Sequence, residues 1–93
     1  MNDTRIADYL AICDTKARYC RALDTKDWDA YADVFTEDLV LDTTPAGGYM
    51  THGRDEALRM IRGSLEGART AHQVHSPEIR FEGDTAEVTW AMQ

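Results

Sequence analysis

The sequence predicts one α+β domain over residues 1–93, with helices first and antiparallel strands last. Three observations predict it. Apolar residues recur at helical spacing through the N-terminal part of the chain. Toward the C-terminus, apolar and polar residues alternate on both sides of Glu82-Gly83-Asp84, a hairpin turn signal. A chain of 93 residues holds at most one domain, with a modest core and a thin margin of stability.

Taken in order, the first element is a helix over Thr4–Leu23. Ile6, Leu10, Cys13, Ala17 and Cys20 recur at intervals of four and three, which draws one apolar stripe. Asp3 or Thr4 is the expected N-cap, and the helix should end near Asp24 and Thr25. A shorter helix follows, about Asp27–Phe35, with Trp28, Tyr31, Val34 and Phe35 on one face. Asp24 or Thr25 can cap it, and Asp27 adds negative charge at its N-terminus. "TEDLVLDTT" then reads as a strand with Leu39 and Leu41 alternating, Pro45–Gly48 as a loop, and "YMTHG" as a short strand. A third helix, about Asp55–Leu65, buries Ala57, Leu58, Ile61 and Leu65; Gly63 weakens it and Gly67 ends it. "TAHQVHSPEIRF" and "AEVTWAMQ" are the strands of the final hairpin. Pro77 has no N–H to donate, so it demands an edge or a bulge. The chain stops at Gln93 within a strand pattern, which leaves a sheet of three or four strands with an open edge. Three origins fit: a shortened chain, an omitted remainder, or a natural short form completed by a second subunit.

Composition narrows the partners. A net charge of −7 disfavours phosphate backbones and anionic membrane surfaces, so neither nucleic acid nor membrane is expected as a partner. No apolar run approaches the roughly 20 residues that span a bilayer. "MNDTRIADY" lacks the basic start and apolar core of a signal peptide, so the expected location is the cytoplasm, although a removed leader would leave no trace. Cys13 and Cys20 lie about 10.5 Å apart along a helix. That exceeds the ~7 Å limit for a disulfide, so they read as buried reduced thiols. Three histidines occur without H-x-H, H-E-x-x-H or C-x-x-C spacing, and there is no phosphate-cradling glycine loop or G-x-S-x-G elbow. No metal and no cofactor is expected.

The chemistry concentrates in "ARYCRALDTKDWDAY", Ala17–Tyr31, and in the later "TAHQVH". With "HGRDEALRMI" between them, these stretches resemble the SnoaL-like superfamily over nearly the whole chain. This is the cone-shaped α+β fold of ketosteroid isomerases, scytalone and bile-acid dehydratases and nuclear transport factor. The combination of Y-x-x-A-L-D-x-x-D-W-D with a later T-x-H is closest to the dehydratase-like branch. The resemblance implies a cone of N-terminal helices packed on a curved, mainly antiparallel sheet, whose last strands would lie beyond Gln93. It implies Tyr19 as the donor to a substrate oxygen, Asp24 as the aspartate after the first helix, and His72 as the proton-transfer histidine. It also implies a homodimer or higher oligomer and a small hydrophobic ligand. The base of ketosteroid isomerases falls where this chain has Thr43. Asp42 is one residue away, and a one-residue slip turns a strand side chain to the other face.

These residue types suit the loss of water β to a carbonyl. With an ordinary pKa of about 6.5, a histidine can take and return a proton near neutrality. Tyr19 can donate to a developing enolate, and a carboxylate behind His72 would fix its tautomer. Each residue also has a structural reading. Tyr19 can pack in the core, Asp24 can cap the second helix, and His72 can be a satisfied core histidine. His75 points to the other strand face, and His52 reads as local structure beside Gly53. The expectation is therefore a cofactor-independent dehydratase acting on a hydrophobic polycyclic or aromatic compound. An isomerase or polyketide cyclase of the same superfamily, or a non-catalytic ligand-binding or assembly module, are the alternatives.

Overall fold

In the computed structural model, which describes residues 2–93, the first helix is α1 (Asp3–Asp24). Its cap is Asn2, one residue earlier than Asp3 or Thr4: the Asn2 side chain accepts the Arg5 amide at 2.9 Å. At the other end Asp27 N donates to Ala22 O at 2.9 Å and Lys26 N to Leu23 O at 3.2 Å. This is a Schellman closure, which needs a left-handed residue at the position held by Lys26, at φ 60°. Glycine usually stands there; a lysine in that conformation is mildly strained.

Helix α2 is only Trp28–Ala32, shorter than the Asp27–Phe35 reading, because the chain turns out of α-geometry after Asp33. Its cap is Asp27, whose side chain accepts the Ala30 amide at 3.1 Å. Asp24 and Thr25 do not cap it: Thr25 donates its hydroxyl back to Arg21 O at 2.8 Å, and Asp24 is engaged elsewhere.

Two separate antiparallel pairs make up the strands, rather than one continuous sheet. β1 (Val40–Asp42) pairs with β2 (Met50–His52), with Leu41 opposite Thr51. A single 3₁₀ turn, Thr44–Ala46, stands in the predicted loop between them. Gly53 follows β2 at φ 92°, a backbone only glycine adopts freely, and opens helix α3 (Arg54–Leu65). β3 (Val74–Glu82) and β4 (Thr85–Met92) form the C-terminal hairpin, with Glu82 opposite Thr85 across Gly83 and Asp84. Register shifts between His75 and Glu78, the bulge that Pro77 requires, and Ser76 sits there at φ 53°.

The core lies between the helices. Ala22, Leu23 and Tyr31 are buried at the junction of α1 and α2, and Leu58, Ile61 and Leu65 of α3 pack against them. Tyr31 is fully buried, with Tyr19 and Phe35 ring centroids each 5.1 Å from its own. Aromatic pairs of this kind add about 0.5–1.5 kcal/mol each beyond area burial. The predicted α1 stripe is corrected. Ile6 and Leu10 are 46% and 63% exposed, and Ala17 is exposed too. The sheltered face runs instead through Ile12, Lys16, Tyr19, Cys20 and Leu23. The reason is the placement of the hairpin, which meets α1 on the Arg5 side. The Arg5 guanidinium donates to Gly83 O at 3.1 Å and stacks 4.6 Å over Phe81. The Cα radius of gyration, 14.2 Å, exceeds the roughly 12 Å of a close-packed chain this long, because the hairpin extends from the helical core. Cys13 and Cys20 are both free thiols.

Candidate active site

The C-terminal end of α1 carries Asp24 outward from the core, and the extended segment before β3 brings Thr70 and His72 to it. His72 lies just ahead of the strand rather than within it. Its segment is held in line by Gln73 and Gln93, which exchange backbone hydrogen bonds at 2.8 and 3.4 Å. Both oxygens of Asp24 accept from this side. Oδ2 accepts the His72 amide at 2.8 Å. Oδ1 accepts the Thr70 hydroxyl at 2.8 Å and faces His72 Nδ1 at 2.6 Å. The two ion-pair side chains are each 22% exposed, so the pair is sheltered but not sealed.

These contacts set the protonation state. Burial pushes the Asp24 carboxyl up, but hydrogen bonds from the His72 ring, the His72 amide and Thr70 together outweigh it and hold the group below its ordinary value. Asp24 is therefore ionised near neutrality and can only accept. Nδ1 of His72 must then carry the proton that faces Oδ1, which leaves Nε2 of the neutral ring with its lone pair free. A carboxylate, an Nδ1–H and an Nε2 without a partner among the described residues have the arrangement of the orienting half of a triad, which can serve as a general base. Lys26, in its left-handed position, donates Nζ to Leu23 O at 3.4 Å and to Thr70 Oγ1 at 3.2 Å, which braces Thr70 from behind.

Tyr19 lies five residues before Asp24 on α1 and makes no hydrogen bond to Asp24 or His72 among the described residues. It lines a groove of about 380 Å³ with Ile12, Lys16, Val34, Phe35 and Trp90. Asp24 and His72 are not in that groove's lining; they stand past its end, where α1 stops. The structure thus joins two of the three predicted residues and sets the third beside them along the same helix. A larger hollow of about 430 Å³ lies between α1 and the hairpin turn, with Arg5, Asp8 and Asp84 among its lining, and none of the three residues reaches it.

Three further residues bear on the site. Thr70 belongs to the quoted T-x-H, yet only the fold reveals that it donates to the same oxygen as His72. Lys16 faces the groove with Nζ 3.8 Å from the Tyr19 ring centroid; a reading that counted apolar positions alone passes over it. Tyr31 carries a buried hydroxyl with no hydrogen-bond partner. Burial foremost, then the adjacent Tyr19 phenol, pushes Tyr31 far up, although the two hydroxyls are not in bonding geometry. Its sequence signal is a tyrosine where a phenylalanine would pack. The remaining histidines stand apart: His52 and His75 are exposed, and His75 Nδ1 lies 3.1 Å from Ser76 Oγ. Asp42 is exposed and accepts the Thr44 hydroxyl and amide, which hold its carboxyl down; it faces solvent as a local cap, not as a base. Among the described residues no three His, Cys, Asp or Glu side chains gather as a metal site, and no helix is long and apolar enough to cross a membrane.

Comparison with known proteins bears on the fold. Residues 4–93 match the profile of the SnoaL-like domain. A crystal structure from Novosphingobium aromaticivorans, named as a candidate aromatic ring hydroxylase, superposes with a TM-score of 0.85 at 33% identity, over 94% of this chain and 63% of that one. A protein from Catenulispora acidiphila superposes with a TM-score of 0.83 at 24% identity, over 98% of this chain and 67% of that one. The chain therefore spans about two thirds of the length of these structural relatives. No match is found among curated proteins.

Proposed function

This chain belongs to the SnoaL-like family, and from that premise we propose that it is a cofactor-independent dehydratase-like lyase acting on a hydrophobic, aromatic or polycyclic carbonyl compound. The observation that carries the reading is the 2.6 Å contact of His72 Nδ1 with Asp24 Oδ1, which leaves Nε2 as the available base. In the proposed reaction Nε2 takes the proton α to the substrate carbonyl, and the electron pair moves onto the carbonyl oxygen. Tyr19 donates its hydroxyl to that enolate oxygen. As the carbonyl re-forms, the β-hydroxyl departs, takes the proton back from Nε2 and leaves as water. The product is the α,β-unsaturated carbonyl. Asp24 stabilises the imidazolium between the two proton transfers and never gains a proton itself. The aromatic lining of Tyr19, Phe35 and Trp90 supports a flat hydrophobic substrate, and the name carried by the Novosphingobium aromaticivorans neighbour points to the same class of compound.

The test is His72→Ala, assayed with hydroxy-carbonyl aromatic compounds by the absorbance of the conjugated product. Loss of a general base should lower turnover about 10²–10⁴-fold. Turnover equal to that of the native protein would remove His72 from the mechanism. A second reading, a non-catalytic ligand-binding module, is favoured by one observation: the groove holds Tyr19 but not Asp24 or His72. Under it, aromatic compounds bind and no variant or native protein turns them over.

A further inference from the structure

The groove is mostly apolar, with the Thr15 and Tyr19 hydroxyls as neutral polar groups. Among the described residues that line it, only Lys16 carries a formal charge. Lys16 forms no ion pair among the described residues, and its ammonium lies 3.8 Å from the Tyr19 ring centroid, on the groove side of α1. A lysine free to reach solvent extends its ammonium into water. This one is half-buried over an aromatic face instead, where the ring only partly replaces lost hydration. Burial holds its pKa down, while the neighbouring Cys20 works weakly the other way.

Position along the helix adds direction. Lys16, Cys20 and Asp24 follow one another at intervals of four on α1, so Lys16 and Asp24 lie about 12 Å apart along its axis. The positive end of the groove and the His72 base are thus at opposite ends of one helix face, with Tyr19 between them. The chain as a whole carries a charge of −7. A preference for anions in this groove has to come from a local cation, since the overall field repels them.

We propose that the groove takes a planar aromatic molecule bearing a carboxylate, whose negative group seats on Lys16 while its ring lies along the apolar lining toward Trp90. This names the substrate class for the lyase reading and rests on that reading's choice of the groove as the substrate site. Lys16 is a specificity residue here: it orients the molecule so that the end remote from the carboxylate extends toward His72.

The experiment uses two probes of the same shape, naphthoate and uncharged naphthamide, titrated calorimetrically into the native protein and into Lys16→Met, Lys16→Arg and His72→Ala. The native protein should bind naphthoate about tenfold more tightly than naphthamide, the equivalent of one charge-assisted contact. Lys16→Met should remove that preference while leaving naphthamide affinity and the far-ultraviolet dichroism spectrum unchanged, and Lys16→Arg should keep it. Equal affinities in the native protein, an unchanged preference in Lys16→Met, or no binding of either probe overturns the proposal. His72→Ala separates the two ideas. It should bind naphthoate as the native protein does, and only its turnover bears on the reaction, so either idea can fail alone.

Discussion

Replacing Asp24 by Asn leaves the shape of the side chain and removes its charge and one acceptor. The native carboxylate serves three donors: the Thr70 hydroxyl at 2.8 Å, the His72 amide at 2.8 Å and His72 Nδ1 at 2.6 Å. An asparagine has one carbonyl oxygen for them. The His72 amide is fixed backbone and cannot turn, so the carbonyl must face it. The NH₂ group then faces Thr70, whose hydroxyl can rotate to accept, and His72 Nδ1, which must give up its proton to accept. The ring is driven to the Nε2–H tautomer, and the base is occupied. Hydrogen bonds to a charged group are worth about 1.5–3 kcal/mol each, and a neutral bond recovers roughly 1 of that. With the pair partly open to solvent, the low end of that range applies, about 0.5 kcal/mol for each of the three bonds, so stability should fall by about 1.5 kcal/mol, or ~6–12 °C in melting temperature for a domain of this size. Turnover should fall further, by about 10³–10⁴-fold, because the wrong tautomer removes the base while the fold persists. Urea denaturation and kcat/KM on the same preparation separate the two effects. A folded Asp24→Asn protein whose kcat/KM stays within about threefold of native, well under 1 kcal/mol in barrier, would refute the tautomer argument.

Other perturbations follow from the same contacts. Because Asp24 has a lowered pKa in the folded protein, its stabilisation is fully present above the ordinary carboxylate value of about 4 and is lost as pH falls through the lower folded value. Urea midpoints measured from pH 6 downward should drop more steeply for the native protein than for Asp24→Asn below about pH 4; parallel curves would contradict this. Thr70→Val removes one donor to Oδ1 and should cost about 1 kcal/mol of stability, with a drop in kcat of about three- to tenfold and little change in KM. A change confined to KM would place Thr70 in substrate binding instead. Tyr31→Phe should stabilise the fold by about 1 kcal/mol, since it deletes a buried hydroxyl without a partner. A loss of that size would mean that the hydroxyl is bonded after all, with the Tyr19 phenol as its neighbour.

The order of helices and strands was legible because each depends on near neighbours: the periodicity of α1 and α3, the Gly83-Asp84 turn, and the missing N–H of Pro77 that forces a bulge. Which face of α1 is buried was not. Ile6, Leu10 and Ala17 form a regular stripe, but among the described residues no other element covers it, and a stripe states only that a helix is amphipathic. Asp24 could be read from its neighbours as a cap or as a site residue. Asp27 takes the cap, and Asp24 is claimed by donors 46 and 48 residues away, a pairing that no local pattern contains. Lys16 and Lys26 escaped notice because their roles come from where the fold places them: Lys16 on the groove, Lys26 in a left-handed turn beneath Thr70.

The proposed chemistry depends on Asp24 holding His72 with its proton on Nδ1 and its base on Nε2. Nitrogen-15 spectra of the native protein with labelled histidine, recorded with the imidazole neutral, read the two ring nitrogens directly. His72 should show a protonated Nδ1 and an unprotonated Nε2, with Asp24→Asn showing the reverse. A native His72 with the proton on Nε2 would contradict it.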